Sequence, residues 1–145
     1  PEDEWHATMD LNITAVWRCT RVAAGLMGDN GRIVNISSRA VDMSPPGNGH
    51  YSAAKSAVNS LTKTFAKELG PRIRVNCIMP GAVPTEIMMT ALHLEDDDIP
   101  KLERNLRLPM GRLGTPEDLG QAVLYFVAPA SEWVTGQIIG VDGGM

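Results

Sequence analysis

Tyr51 and Lys55 stand four residues apart, in a stretch where apolar residues recur at helical spacing. Residues at that separation share one face of a helix, so the phenol and the ammonium group would be neighbours. A free phenol has a pKa of about 10, and a nearby positive charge favours its ionised form. The pair is therefore a candidate general acid and base for an alcohol or a ketone. The same spacing is common on ordinary surface helices, so the two residues alone do not establish catalysis.

Ser37 and Ser38 supply a second candidate group. They end a short apolar run, and Ser38 precedes Tyr51 by thirteen positions. Ligands of parallel α/β sheets bind beyond the carboxyl ends of the strands, which is where these serines would lie. A serine hydroxyl at that edge can donate a hydrogen bond to a substrate oxygen while the phenol transfers the proton. A plain turn or capping role is the alternative for either serine.

Asn12 and the segment Pro80–Thr85 are the remaining candidates. Asn12 lies within a predicted helix, where asparagine competes for backbone hydrogen bonds. It either holds a water or a carbonyl group beside the site or faces solvent. In the later segment, Gly81 allows the backbone to approach a ligand closely, and Val83 and Thr85 offer backbone and hydroxyl groups. An ordinary turn that ends a strand is the alternative.

The elements that would position these residues alternate between helix and strand. Turn residues bound short apolar runs at Arg32–Ser37 and Ile73–Met79, and the periodicity between them predicts a helix over Tyr51–Leu69. Strand, helix and strand in this order form a βαβ unit with parallel strands and a right-handed crossover. A first helix, a loop, a late helix and a last strand are predicted at Pro1–Met27, Arg39–Gly49, Thr115–Ala128 and Gln137–Val141. The alternation predicts an α/β fold with a mostly parallel sheet.

Length and composition exclude several classes of protein. The 145 residues suit one domain, and 43% hydrophobic with 21% charged residues is typical of a globular chain. The net charge of -4 argues against a nucleic-acid partner, and no apolar run is long enough to span a membrane. Cys19 and Cys77 stand alone, and neither the histidines nor the acidic run Glu95–Asp98 has metal-site spacing. No signal peptide is recognisable, so we expect a cytoplasmic protein without a bound metal.

Six segments together resemble the short-chain dehydrogenase/reductase family. They are Asn12, Gly31–Ser38, Tyr51–Lys55, Ile73–Gly81, Pro109–Asp118 and Val141–Gly144. They are spread over nearly the whole chain and follow the family's order. The resemblance implies a Rossmann-like, three-layer, doubly wound parallel sheet. The branches that look nearest are the 3-oxoacyl-thioester reductases and the hydroxysteroid dehydrogenases.

The resemblance also implies a role for each candidate residue. Tyr51 would be the proton donor and acceptor, and Lys55 would bind the nicotinamide ribose and tune Tyr51. Ser38 would orient the substrate oxygen, and Asn12 would support a water relay from Lys55. The cofactor, NAD or NADP, would be bound by Tyr51, Lys55, Pro80, Gly81, Val83 and Thr85. Of these, Val83 and Thr85 would anchor the carboxamide and the nearby phosphate, and hydride would pass between the nicotinamide and a carbinol or carbonyl carbon.

The resemblance departs from the family at the amino-terminal side. The family begins with a strand, a glycine-rich turn and a first βαβαβ half, and no G-x-G-x-x-G pattern after a strand occurs in this sequence. We therefore predict that residues 1–145 form a single partial domain, the catalytic half of a longer enzyme whose N-terminal half is missing. The alternative is a truncated, non-catalytic paralogue that acts as an oligomerisation or assembly module.

The expected partners also follow from the resemblance. The substrate would be a small alcohol or ketone. An apolar segment after Thr85 resembles a lid that suits a lipophilic substrate, although core packing explains it equally well; it contains Met88, Met89, Leu92 and Leu94. In relatives the first helix and the Tyr51 helix pack against a second subunit, so a homotetramer or dimer is expected for the full-length protein.

Overall fold

Three parallel strands form the sheet of the computed structural model, which describes residues 1–145 apart from the side chain of Ala91. The strands are β1 Gly31–Ile36, β2 Ile73–Pro80 and β3 Ile138–Val141, and their order in the sheet is β1-β2-β3. Asn35 of β1 lies opposite Cys77 of β2, and Cys77 lies opposite Ile138 of β3. Because the strands are parallel, their carboxyl ends meet at one edge of the sheet, as the βαβ prediction requires.

Helices cover both faces of this sheet. The α-helices of the described residues are α1 Glu2–Met9, α2 Ala15–Leu26, α3 Ala40–Met43, α4 Gly49–Leu69, α5 Glu86–Ala91, α6 Ile99–Leu106 and α7 Pro116–Val127. Helices α2 and α4 contact β1, α4 also contacts β2, and α7 contacts all three strands from the other side. The predicted three-layer α/β arrangement is therefore confirmed. None of the described helices combines the length and the apolar character that crossing a bilayer requires.

Helix α4 packs against the sheet through the apolar stripe that the sequence predicts. Ala54 and Val58 are completely buried, and Phe65 is nearly so. With Ala24 of α2, Phe65 contributes to the core cluster beneath β1 and β2, whose members are Ala24, Phe65, Ala66, Ile73 and Val75, with Met27, Ile33, Leu61 and Leu69 packed against it. The spacing of the stripe places it on one helical face, so its burial orients the whole helix against the sheet.

The predicted helix Pro1–Met27 is wrong in its continuity. A π-helical turn at Asp10–Thr14 separates α1 from α2, and Asn12 lies in its centre. Such turns insert one extra residue into a helix and often occur at functional sites. The turn contacts α4, so it brings Asn12 to the helix that carries Tyr51. The periodic pattern of the sequence does not reveal it, since a single inserted residue shifts the helical face only locally.

Helix α7 begins at the Thr115–Pro116 signal that the sequence predicts. Thr115 and Asp118 form a reciprocal capping box, in which the Asp118 backbone N–H donates to the Thr115 hydroxyl at 3.3 Å. The Arg112 guanidinium donates to both carboxylate oxygens of Asp118, at 2.7 and 2.9 Å. These hydrogen bonds hold the pKa of Asp118 well below its usual range, with the Arg112 bond as the largest cause. The loop predicted at Arg39–Gly49 is interrupted by α3.

Phe126 provides the stability test of the α7 layer. Its side chain is 1% exposed, whereas Trp133 is 100% exposed. Phe126→Ala is expected to lower the free energy of unfolding by about 3–5 kcal/mol, because it removes apolar contacts and leaves a cavity. Trp133→Ala, the control, should change it by less than about 0.5 kcal/mol. Urea unfolding followed by circular dichroism measures both, and equal effects would contradict the packing described.

Candidate active site

The first turns of α4 are fastened to the carboxyl end of β1 by two hydrogen bonds. The Lys55 ammonium donates to the backbone carbonyl of Ile36 at 3.1 Å. The Ser37 hydroxyl donates to the backbone carbonyl of Lys55, also at 3.1 Å. The two bonds run in opposite directions between helix and strand. They therefore fix both the height of α4 along the sheet and the direction of the Lys55 side chain.

Lys55 and Tyr51 lie together, as their spacing predicts. The Lys55 Nζ atom is 5.6 Å from the centre of the Tyr51 ring, a distance at which an ammonium group is attracted to an aromatic face. Both residues are half-buried. Burial lowers the pKa of Lys55, and the charge of Cys77 opposes that shift only when its thiol is ionised. The site thus contains a partly desolvated cation next to a phenol, at the ligand-binding edge of a parallel sheet.

Ser38 is held close to the start of α4 by a short chain of hydrogen bonds. Its Oγ accepts from the Ala40 backbone N–H at 3.1 Å, and the Ala40 carbonyl accepts from the Ser52 hydroxyl at 3.0 Å. Ser52 is the residue after Tyr51. Because Ser38 Oγ acts as an acceptor in this chain, its own proton remains available for donation to a ligand. Ser38 therefore lies in the same neighbourhood as the Tyr51–Lys55 pair.

Asn12 makes its hydrogen bond within its own helix. Its amide Nδ2 donates to the carbonyl of Thr8 at 3.1 Å, across the π-helical turn. The residue is half-buried. The turn contacts α4, but no direct bond joins Asn12 to Lys55 among the described residues. A water relay between the two residues remains a prediction.

The segment after β2 has structural roles that the sequence does not reveal. The Gly81 N–H donates to the Val141 carbonyl at 3.1 Å, and a Cβ atom at Gly81 would lie 2.6 Å from the Cα atom of Asp142. The close approach that requires glycine is therefore to another part of this chain. Thr85 is the N-cap of α5, where its hydroxyl oxygen accepts from the Met88 N–H at 3.3 Å.

Val83 is the member of this segment best suited to a ligand. The residue is 6% exposed, and its carbonyl accepts from the Thr85 N–H at 2.7 Å. Within the described residues, its own N–H has no hydrogen-bond acceptor. A buried N–H without a partner is costly, and a carboxamide oxygen would satisfy it. The donor set of the segment, with Lys55 nearby in the fold, fits a nicotinamide nucleoside.

Two residues around the site were missed by the sequence reasoning. Asn59 lies one helical turn after Lys55 and bonds to β2, donating to the sulfur of Met79 at 3.4 Å and accepting from the Cys77 thiol at 3.7 Å. Its spacing from Lys55 is the signal that could have revealed it. Arg39 follows Ser38 and reaches Asp142 at 3.0 Å. No periodic signal marks such a long-range pair. In the described part of the chain, no cluster of His, Cys, Asp and Glu could hold a metal ion.

The chain is an α/β protein with a cluster of polar side chains beyond the carboxyl ends of its parallel strands. A protein-family model described as Enoyl-(Acyl carrier protein) reductase matches residues 1–145. The 3-oxoacyl-[acyl-carrier-protein] reductase FabG of Thermotoga maritima is 37% identical over 99% of this chain and 58% of its own length. The 3alpha-hydroxysteroid dehydrogenase of Mediterraneibacter gnavus is 39% identical over 97% of this chain and 56% of its own length.

A solved structure gives the same result. An NADPH-bound short-chain oxidoreductase from Pseudomonas aeruginosa matches with a TM-score of 0.90 and 28% identity, over 100% of this chain and 58% of that one. The chain belongs to the short-chain dehydrogenase/reductase family of oxidoreductases, as the motifs indicate. It spans somewhat more than half the length of the relatives it matches.

Cys77 tests the packing beneath the site. It is completely buried, and burial raises the pKa of its thiol to about 11, whereas Cys19 is exposed. Only about one Cys77 thiol in a thousand is then ionised at pH 8, and the thiolate is the reactive form. Iodoacetamide at pH 8 is expected to label Cys77 at least about a hundredfold more slowly in folded than in urea-unfolded protein. Peptide mass spectrometry measures the rates, with Cys19 as the exposed comparator; equal Cys77 rates in both states would refute its burial.

Proposed function

We propose that the protein carrying this chain is an NAD(P)-dependent oxidoreductase that interconverts a secondary alcohol and a ketone, with Tyr51 as the proton donor and acceptor. The observation that carries the proposal is the fastening of Lys55 to Ile36, which holds the ammonium group 5.6 Å from the Tyr51 ring. The names of two relatives described above, a 3-oxoacyl reductase and a hydroxysteroid dehydrogenase, describe enzymes for substrates of this kind.

Each residue has a distinct task in this reaction. Tyr51 gives its phenolic proton to the substrate oxygen when a ketone is reduced and takes it back when an alcohol is oxidised. The Lys55 charge stabilises the phenolate left behind. Ser38 donates a hydrogen bond to the same substrate oxygen, which holds the carbonyl and stabilises its developing negative charge. Asn12 supports proton return to Lys55 through water.

The nicotinamide cofactor, when bound, supplies or accepts the hydride. Among the residues of this chain, Lys55 is suited to the ribose hydroxyls because its ammonium group is a donor at the strand edge. The Val83 N–H is suited to the carboxamide, and the Thr85 hydroxyl to the amide or a nearby phosphate. Pro80 and Gly81 set the direction of this segment as it leaves β2.

The substrate is a small lipophilic molecule in this proposal. Helix α5 follows Thr85 and presents an apolar surface, with Ile87 82% and Leu92 54% exposed, while Met88 and Met89 are half-buried. An apolar surface that contains methionine side chains can adapt to a lipophilic alcohol or ketone. The two free cysteines, Cys19 and Cys77, suit a reducing compartment and support a cytoplasmic location.

The proton-transfer role of Tyr51 has a matched control, because the chain contains only two tyrosines. In the full-length protein, Tyr51→Phe is expected to lower kcat by about 10²–10⁴-fold, since it removes only the transferable proton. Tyr125→Phe, at a 45% exposed position, should leave kcat unchanged. Turnover of NADH and NADPH with ketone substrates measures this, and near-normal kcat for Tyr51→Phe would overturn the assignment.

Comparison of the Lys55 and Tyr51 variants separates cofactor binding from proton transfer. Lys55→Ala is expected to weaken nicotinamide binding and lower kcat together, because one group serves both tasks. Tyr51→Phe should keep the cofactor affinity of the wild type. Fluorescence titration with NADH and NADPH measures the affinity, with Lys63→Ala, an exposed position on the same helix, as the control. Unchanged affinity in Lys55→Ala would exclude a cofactor-binding role for it.

A second candidate function is favoured by an apolar groove between α2 and α4. It has a volume of about 490 Å³ and is lined by Ile13, Thr14, Trp17, Ala57, Ser60 and Leu61. Trp17 is 40% exposed there. We infer that this face packs against a second subunit in a homodimer or homotetramer. An assembly module without catalysis would need only this face, so the oligomer is common to both functions.

Ala57→Arg tests the groove, because a long charged side chain would fill it and would have to be buried in any subunit contact. We expect the variant to sediment as a smaller species than the wild type at equal concentration. Glu68→Arg introduces the same residue at an exposed position of α4 outside the groove and should not change the oligomer. An unaltered oligomer in Ala57→Arg would show that subunits meet elsewhere. Assembly with no nicotinamide-dependent turnover by the wild-type protein would favour the assembly module.

A further inference from the structure

Arg39 joins the ends of all three strands at the candidate active site. Its backbone N–H donates to the carbonyl of Pro80 at the end of β2, at 3.0 Å. Its guanidinium lies 3.0 Å from Asp142, just beyond β3, through Nε, and donates to the Met145 carbonyl at 2.8 Å through Nη2. Since Arg39 directly follows Ser38 at the end of β1, one residue connects the three segments. The third nitrogen, Nη1, pairs with Asp42 of α3 at 2.6 Å.

The space around the Asp142 carboxylate is kept open by glycine residues. A Cβ atom at Gly140 would lie 2.7 Å from Asp142 Oδ2, the oxygen that faces Arg39. The other oxygen, Oδ1, accepts from the Gly144 backbone N–H at 2.9 Å. A side chain at Gly81 would meet the Asp142 backbone, as described above. Gly140 on β3 and Gly81, which directly follows β2, thus both leave room for the same aspartate.

The ion pair between Arg39 and Asp142 is partly buried, so it can hold the two residues in a fixed arrangement. The side chains of Arg39 and Asp142 are 23% and 15% exposed, whereas Asp42 is 50% exposed. Charge pairs partly removed from water are screened less than surface pairs. Nη1 and Nη2 donate hydrogen bonds to Asp42 and to the Met145 carbonyl, while Nε faces Asp142 as a charge pair without hydrogen-bond geometry. A lysine ammonium on a flexible stem cannot contact these three groups at once. Arg39 and Asp142 therefore restrict how far the β1 and β3 ends can move apart.

We propose that Arg39 is a positioning residue, which through Asp142 fixes the separation between the Ser38 hydroxyl and the cofactor-binding segment that starts at Pro80. The inference rests on the proposed function, because it assigns Ser38 and Pro80–Gly81 to that reaction. Arg39 does not itself contact the reacting atoms. The Arg39–Asp142 contact is here called the tether, and residues 37–48, which join β1 to α4 and include α3, are called the Ser38 loop. Loss of the tether would let the Ser38 loop and the end of β2 shift relative to each other, and small displacements of reacting groups lower the rate.

The activity test uses two different substitutions in the full-length protein, each of which should weaken the contact between Arg39 and Asp142. Asp142→Asn removes the charge, and Gly140→Ala pushes Oδ2 away without removing any charge. Both are expected to lower kcat by about tenfold to a hundredfold, with KM changed less than about threefold, because binding groups are retained. Arg39→Gln should lower kcat to the same extent. Arg39→Lys should recover part of kcat, since it keeps the positive charge but loses the planar guanidinium group.

Two control variants match these changes. Asp42→Asn removes a carboxylate from the same guanidinium, but Asp42 lies within the Ser38 loop and ties no strand end, so kcat should stay within about twofold. Gly120→Ala adds a methyl group where nothing lies within 4 Å and should likewise leave kcat unchanged. The double variant of Arg39→Gln and Asp142→Asn should be no worse than either single one, since both remove one interaction.

Hydrogen exchange supplies a readout that does not depend on turnover. The Arg39 amide is bonded to Pro80 and the Ala40 amide to the Ser38 hydroxyl, so both report on the Ser38 loop. Their exchange should become at least about tenfold faster in Asp142→Asn and Gly140→Ala, and should not change in Asp42→Asn. Unchanged exchange in both variants, or normal kcat with only a lowered Tm, would overturn the positioning role. If the wild type transfers no hydride, the proposed function fails, while the exchange result still decides whether the tether exists.

Discussion

The arrangement of the site depends on the attachment of α4 to the end of β1. One bond carries the Lys55 ammonium to the Ile36 carbonyl, and the other carries the Ser37 hydroxyl back to the Lys55 carbonyl. A helix held only by apolar packing could slide along the sheet, because hydrophobic contacts are non-directional. The two polar bonds have defined lengths and directions, so they select one position of α4. Tyr51, one turn before Lys55, is placed by the same bonds.

The parallel sheet explains why residues so distant in sequence meet here. Parallel strands bring all their carboxyl ends to one edge. Pro80 ends β2 at this edge, and Ser38 and Asp142 follow β1 and β3 there. Arg39 and Asp142 then connect the segments beyond that edge by charge. The hydrogen bonds that attach α4 and the ion pair that connects the strand ends thus both act on this edge of the sheet. Their shared effect is to keep a phenol, an ammonium group and a hydroxyl in one neighbourhood.

Much of the fold was predictable from local patterns, and the exceptions have clear physical causes. The βαβ unit, the stripe of α4 and the start of α7 follow from periodicity, turns and caps, which are encoded within a few residues. The π-helical turn at Asn12 was not predictable in this way, because one inserted residue shifts the helical face only locally. The need for glycine at position 81 was attributed to a ligand, yet Asp142 occupies the adjacent space.

The sequence by itself determined the alternation of helix and strand, the family, and the choice of Tyr51, Lys55 and Ser38, because these rest on residue type and short spacing. Only the tertiary structure decided which groups those side chains contact: Ile36 for Lys55, Ala40 for Ser38 and Thr8 for Asn12. It alone joined Arg39 to Asp142, more than a hundred residues later. Such contacts are set by the packing of whole elements, and local spacing contains no information about the distance between separate strand ends.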